Sequence, residues 1–188
     1  MTQAPSFPGS MPRQPRGLTL DDVIAHIEIQ QRLVEYCRGV DRGYVEAVSS
    51  VYHGDAYDEH GPFKGAASDF ANAIVPMLDA IPVNGQHHVT NSLIDVQGDR
   101  AKAETYFLSF HPTAEAADGE KPKIMVTGGR YLDTFEKRDG VWRIARRITL
   151  MDFAKEGDGS FYSWPGLADF TGSGRREADA SHDFFAQV

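Results

Sequence analysis

The sequence predicts an α+β domain in which a curved antiparallel sheet wraps around a layer of three N-terminal helices. Two observations carry that expectation. Apolar residues recur at helical spacing in the first part of the chain. The later part holds two hairpin signals, Gly98-Asp99-Arg100 and Arg138-Asp139-Gly140, each flanked by β-branched and aromatic runs. Length agrees: 188 residues, 41% hydrophobic and 24% charged, suit one domain with tails, able to bury a core without disulfides or metal.

Thr19 reads as an N-cap, with Asp21 and Asp22 favouring the helix dipole in the first turn. The stretch IAHIEIQQRLVEYCRGVD, residues 24–41, reads as an amphipathic helix with Ile24, Ile27, Val34 and Cys37 as its apolar stripe and Asp41 one step beyond. The helix is expected to end near Gly39, with Gly39 and Gly43 bending or restarting the backbone around Asp41. A second helix is expected from about Tyr44 to Tyr52, with Val45, Val48 and Val51 as its apolar positions. His53-Gly54-Asp55 then breaks the pattern, and residues 56–65 read as a short strand or turn. A third helix is expected over Ala66 to Ala80, with Phe70, Ile74, Met77 and Leu78 inward and Pro76 as a kink or local end. Strands follow at about Gln86–Gln97, Ala101–His111, Lys123–Lys137 and Val141–Asp152, with a polar loop over 112–122. The chain thus divides into a Pro-, Gly- and Ser-rich arm at 1–17, the domain at 18–154, and an extension at 155–188. Isolated aromatics in the extension, Phe161, Tyr162, Trp164, Phe170, Phe184 and Phe185, predict that part of it packs, on its own pocket or on a neighbouring subunit.

Composition narrows the function classes. A formal net charge of -8 argues against a nucleic-acid surface. The single cysteine, Cys37, excludes an internal disulfide and a multi-cysteine zinc site, and its place on the helix reads as a small buried hydrophobe rather than a catalytic thiol. No apolar run reaches the length of a membrane span, and the N-terminus lacks a signal-peptide core, so a cytoplasmic location is the default. The chain has no G-x-G-x-x-G, no P-loop and no G-x-S-x-G elbow.

The residues that could carry chemistry are few. Asp41 reads equally as a solvated turn residue and as a half-buried carboxylate that orients a histidine. Its candidate partner is His87 or His88, which open the first long strand. Adjacent strand residues point to opposite faces, so only one faces inward, and alternation does not say which. Arg146 and Arg147 pose the same choice on the last strand. The inward one would supply a fixed positive charge for an anionic intermediate, and the outward one an ordinary surface charge. Tyr36 is five positions before Asp41, about 140° away on an ideal helix, and would share a pocket with it only if the helix bends at Gly39. Asn91 and Tyr106 are weaker pocket candidates. His53, His60, His111 and His182 show no pattern, and no group has metal-ligand spacing.

Three segments, IQQRLVEYCRGVD, HHVTN and GGRYLDTFEKRDGVWRIARR, resemble the SnoaL-like branch of the nuclear transport factor 2-like superfamily. The resemblance covers about Leu18 to Phe153. It implies a cone-shaped α+β barrel holding an Asp-His dyad, as in scytalone dehydratase, bile-acid 7α-dehydratase and γ-hexachlorocyclohexane dehydrochlorinase. Asp41 falls on the family's dyad aspartate, and aligning the Thr-Asn of HHVTN places the dyad histidine at His87. Aligning the last hairpin places the pocket arginine at Arg147. Tyr36 stands where the dehydrochlorinase has lysine and the bile-acid dehydratase tyrosine, which points toward a dehydratase- or isomerase-like pocket. Tyr57, Phe70, Met77, Tyr106, Phe107 and Met125 would shape the substrate cavity. The implied activity is that of a cofactor-independent lyase or isomerase acting on a small, largely apolar cyclic molecule, with His87 as general base, and no metal or organic cofactor is required. The competing expectations are a ligand-binding protein of the same fold and the small subunit of a ring-hydroxylating dioxygenase. Relatives form dimers or trimers, so a homo-oligomer is expected.

Overall fold

The computed structural model describes residues 17–81, 84–113 and 122–186. Almost all of the expected N-terminal arm and most of the loop at 112–122 lie outside these. Helix α1, Leu20–Arg42, starts on Thr19 in a reciprocal cap: the Thr19 hydroxyl accepts from the Asp22 amide, and the Asp22 carboxylate accepts from the Thr19 amide at 2.9 Å. The helix does not end or bend at Gly39. It runs on through Asp41 and stops at Gly43, which sits in the left-handed region at φ 76° and donates to the Gly39 carbonyl. Gly39 serves instead for close approach, since a Cβ there would lie 2.9 Å from the Val48 side chain and amide.

The buried face of α1 also differs from the expected stripe. Ala25, Ile29, Leu33, Tyr36, Cys37 and Val40 are inside, while Ile24, Ile27 and Val34 are exposed. Two stripes of helical period run along this helix. The one that meets the sheet carries the small Ala25 and the aromatic Tyr36, which an aliphatic-only count misses.

Helix α2 is Val45–Ser50, and it is followed by β1, Tyr52–His60, and β2, Phe63–Ala66, an antiparallel pair turning at Gly61. The short strand or turn expected over 56–65 is a two-stranded hairpin that already begins at Tyr52, so strands interrupt the helices before α3, Ala67–Asp79. The inward residues of β1 are Tyr52, Ala56 and Asp58. An acid among so few apolar positions hid the strand. In α3, Phe70 and Leu78 are buried and Ile74 packs partly against the core, but Met77 is 59% exposed.

Four long strands complete the sheet: β3, Gln86–Gln97; β4, Arg100–Pro112; β5, Lys123–Arg138; and β6, Val141–Asp158. The order across the sheet is β2-β1-β6-β5-β4-β3, antiparallel except for the parallel β1–β6 pair. Phe107, Tyr131, Phe135, Trp142 and Ile144 on the sheet form one core with α1, α2 and α3. Several register shifts interrupt the pairing, and two of them set the parity of the candidate residues, one between Val89 and Ser92 on β3 and one at Ala145 on β6. Before the first, His87 and Val89 turn inward; after it, Ile94 and Val96 do, and Leu93 faces out. The second bulge carries Arg147 to the same interior as Trp142 and Ile144, which strict alternation would have given to Arg146.

Beyond β6 the chain makes three short 3-10 turns and helix α4, Ala180–Ala186. Phe161, Trp164, Phe170, Phe184 and Phe185 are exposed. The segment around Gly174–Asp179 is instead hydrogen-bonded to the domain. No described helix is long and apolar enough to cross a membrane.

Candidate functional site

Packing of α1 against β3 brings Asp41, in the last turn of the helix, to His87, the second residue of the strand. The carboxylate holds the histidine at two points. The His87 amide donates to Asp41 Oδ2 at 3.0 Å, and ring atom Nδ1 lies 2.7 Å from Oδ1. Both side chains are nearly nine-tenths buried, at 11% and 12% exposure. An ionised carboxylate can only accept, so in the neutral ring Nδ1 carries the proton and Nε2 keeps its lone pair. Among the described residues Nε2 has no hydrogen-bond partner. His88 points the other way: it is exposed and bonded to the Gln86 side chain at 3.1 Å.

His111, at the end of β4, sets its ring edge-on to His87 with centroids 4.8 Å apart. Burial, then the neighbouring His87, pushes its pKa down to about 4, with Asp41 opposing, so it is neutral at physiological pH. Beside the dyad is a cavity of about 10 Å³, room for one water molecule, bounded among others by Asp41, His87, His111, Leu78 and Arg175. A wider groove of about 580 Å³ lies on the opposite face of these strands, along His88, Thr90, Leu108 and Phe161, where none of the dyad atoms reach.

A second polar cluster lies deeper. Arg147 on β6 is in register with Asp133 on β5 and with Asp58 on β1. All three are buried, Arg147 and Asp58 completely. Arg147 donates from Nε and Nη2 to the two Asp133 oxygens, each at 2.8 Å. Its guanidinium stands 4.0 Å from the ring centre of Tyr131 and 4.3 Å from that of Tyr36. Tyr52 donates to Asp58 at 2.6 Å. Among the described residues, Arg147 Nη1 and Asp58 Oδ1 have no hydrogen-bond partner. Burial raises the Asp133 carboxyl above its ordinary range, with Arg147 pulling it back, and burial raises the Tyr36 phenol against the same pull. Cys37 has its thiol pushed up to about 12 by burial and then by Asp41, so it is protonated and a poor nucleophile.

The structure therefore brings Asp41 and His87 together and groups Tyr36 with Arg147 rather than with Asp41. Arg146 is exposed and lies over the Tyr57 ring at 5.0 Å. Phe70 is buried and stacks on His60 at 4.6 Å, Phe107 is buried against Tyr131, and Tyr57 and Met125 are half-buried. Asn91, Met77 and Tyr106 are exposed and do not line the interior: the β3 bulge turns Asn91 out, and Tyr106 has the opposite parity to Phe107. Sequence reasoning passed over His111, Asp58, Asp133 and Arg175. A signal for Asp133 was present, since it shares an inward strand face with Tyr131 and Phe135. His111 and Arg175 gave none. Among the described residues no group of three or more His, Cys, Asp or Glu side chains is arranged to hold a metal ion.

The model of the SnoaL-like domain family matches residues 21–148. The chain belongs to the SnoaL-like domain family. An uncharacterised protein of Mycobacterium tuberculosis is 28% identical over 141 residues, covering 73% of this chain and 92% of that protein. Among solved structures, a scytalone dehydratase-like protein from Novosphingobium aromaticivorans superposes with a TM-score of 0.61 at 21% identity, over 71% of this chain and 88% of that one. A hexachlorocyclohexane dehydrochlorinase from Novosphingobium barchaimii gives 0.60 at 23%, over 74% and 94%. At these identities the structural likeness establishes the shared nuclear transport factor 2-like fold. The SnoaL-like match ends at residue 148, so Arg175 reaches the dyad cavity from outside the family domain.

Proposed function

We propose that this SnoaL-like protein is a cofactor-independent lyase of the dehydratase type, or an isomerase, acting on a small, largely apolar cyclic substrate. The two-point grip of Asp41 on His87 carries this reading. It fixes the tautomer that leaves Nε2 as a base, and Asp41 stabilises the imidazolium formed when His87 takes a proton. The proton would come from a carbon next to a carbonyl or ring system. In a lyase the electron pair expels a leaving group from the adjacent carbon. In an isomerase the proton returns at a different carbon. Arg147, fixed by Asp133 and with Nη1 free of hydrogen bonds, supplies positive potential for the developing anion, and Tyr36 lies against it. The solved relatives described as a dehydratase and a dehydrochlorinase are consistent with elimination chemistry. Exposed apolar side chains on the sheet and tail, Leu108, Met151, Phe153 and Trp164 among them, favour a homo-oligomer in this reading.

The test is kinetic, on a substrate found by screening hydroxylated and carbonyl-bearing cyclic compounds. His87→Ala and Asp41→Asn should each lower kcat by roughly a hundredfold to ten-thousandfold while circular dichroism stays unchanged. Wild-type turnover in either variant would end the dyad reading.

A further inference from the structure

One wall of the dyad cavity is Arg175, which lies beyond the residues that the family model matches. We propose that residues 173–182 form a latch over the Asp41–His87 pocket, held shut by ion pairs to Asp79, so that substrate enters only when the latch lifts. This deepens the reading above and rests on it only in taking this pocket as the place of reaction.

The latch is folded on itself. Asp179 accepts from the Gly174 amide at 2.9 Å and the Ser181 amide at 3.0 Å, and also from the Ser181 hydroxyl. These bonds hold its carboxyl down at about 2. The segment therefore moves as a unit rather than unravelling residue by residue. It is fastened by Asn84, which donates to the Ser173 hydroxyl and the Gly174 carbonyl and accepts from Arg175, and above all by charge. Arg175 donates to Asp79 at 2.9 Å and to the Leu78 carbonyl at 2.5 Å, and Arg176 pairs with the other Asp79 oxygen. Arg42 donates to the Gly174 carbonyl at 3.2 Å, and Tyr44 meets the His182 ring at 2.9 Å.

The receiving surface fits this role. Asp79 ends α3, where an acid opposes the helix dipole and no base stands in the last turn. The two arginines of the latch compensate that charge. Arg175 is at once a fastener and part of the wall of the dyad cavity, near enough to Asp41 for the carboxylate to act on its charge. With the latch down, the cavity has room for about one water, and no cyclic molecule fits. Fastenings of this kind, polar and partly exposed, open far more readily than a packed core and weaken with salt.

The test reads access to His87 without turnover. The full-length protein is treated with diethyl pyrocarbonate, which carbethoxylates neutral imidazole, and each histidine is followed by peptide mass spectrometry, with exposed His88 as internal reference. When opening is fast and reversible, the His87 rate scales with the open fraction. His87 should react far more slowly than His88 in the wild type. Asp79→Asn, which relieves rather than disturbs the helix dipole, should speed His87 by roughly tenfold and leave His88 unchanged. The double variant Arg175→Gln, Arg176→Gln should do the same. Raising salt from about 20 mM to about 0.5 M should speed His87 in the wild type and much less in either variant. If His87 reacts as fast as His88 in the wild type, or if neither variant changes its rate, the latch is refuted. The two proposals fail separately: unaltered turnover in His87→Ala removes the catalytic reading and leaves the access data standing.

Discussion

Replacing Arg147 with methionine tests whether the interior is built around a paired charge. Arg147 is completely buried and makes two 2.8 Å charge-assisted hydrogen bonds to Asp133. Its loss strands Asp133, and breaking a buried pair from one side costs about 3–5 kcal/mol. That is a large part of the 5–15 kcal/mol that typically holds a domain together. Asp133→Val should cost a similar amount by stranding the guanidinium. The double variant Asp133→Val, Arg147→Met should recover most of the loss, remaining about 1–2 kcal/mol below wild type because Asp58 keeps its Tyr52 bond and the His60 ring at 3.6 Å but loses the permanent cation in register with it. Urea unfolding followed by fluorescence of the buried Trp142 gives the three free energies. A pH series adds a signature. Burial already holds the Asp133 pKa above 3.8, and an acid raised in the folded state costs stability as pH climbs from its unfolded pKa through its folded one. Removing Arg147 raises it further. Arg147→Met should therefore lose less relative to wild type at about pH 5 than at about pH 7. A single-variant cost below about 1 kcal/mol, or a double as unstable as the sum of the singles, would refute the paired-charge account.

Two further outcomes follow from the geometry. Gly129→Ala puts a Cβ 2.0 Å from the Leu150 carbonyl oxygen and 3.0 Å from the buried Phe107 ring, at a register shift where β5 meets β6, and the Leu150 backbone cannot yield. It should lower stability by about 3 kcal/mol or more, and an unchanged melting temperature would contradict the register. His111 takes a proton at about 4 in the folded chain against 6.5 when unfolded, so the folded state loses stability as pH falls from 6.5 through 4. His111→Gln should flatten the stability profile in that window, and an unaltered profile would show that His111 is not held neutral.

The long, regular elements were legible. The Thr19 cap, the four long strands and the turns at Gly98 and Gly140 follow from local chemistry that acts within a few residues. What was not legible depended on partners distant in sequence. The inward face of α1 was misjudged because two helical stripes compete, and only the sheet decides between them. The extent of the β1–β2 hairpin, expected only as a short strand or turn over 56–65, was obscured because Asp58 sits among its inward positions, an acid that Tyr52 and Arg147 make tolerable only once the strands are assembled. At the site, alternation alone left the His87–His88 pair open and would have aligned Arg146 with Trp142 and Ile144. Each bulge adds one residue to a strand and reverses its parity, and nothing in the local composition announces it. Resemblance to the family named His87 and Arg147 because bulges persist in a fold as register, which alignment carries and periodicity does not.

The unbroken path of α1 has a consequence for how the two polar clusters relate. Asp41 and Tyr36 are on one unbroken helix, five residues apart, and they face different partners: His87 for the first and the Arg147 cluster for the second. Cys37 stands between them and feels the charges of both Asp41 and Arg147. In the proposed reading the helix itself holds His87 and the Arg147 cation apart, the first beside the small cavity that Arg175 borders and the second in the completely buried interior. A ligand that loses a proton to His87 while placing its developing negative charge toward Arg147 would have to extend past Cys37 into that interior. Such an orientation would separate the two charges of the proposed transition state along the axis of α1, where Asp41 would stabilise the imidazolium end and the Arg147–Asp133 pair, already fixed before substrate arrives, would stabilise the other.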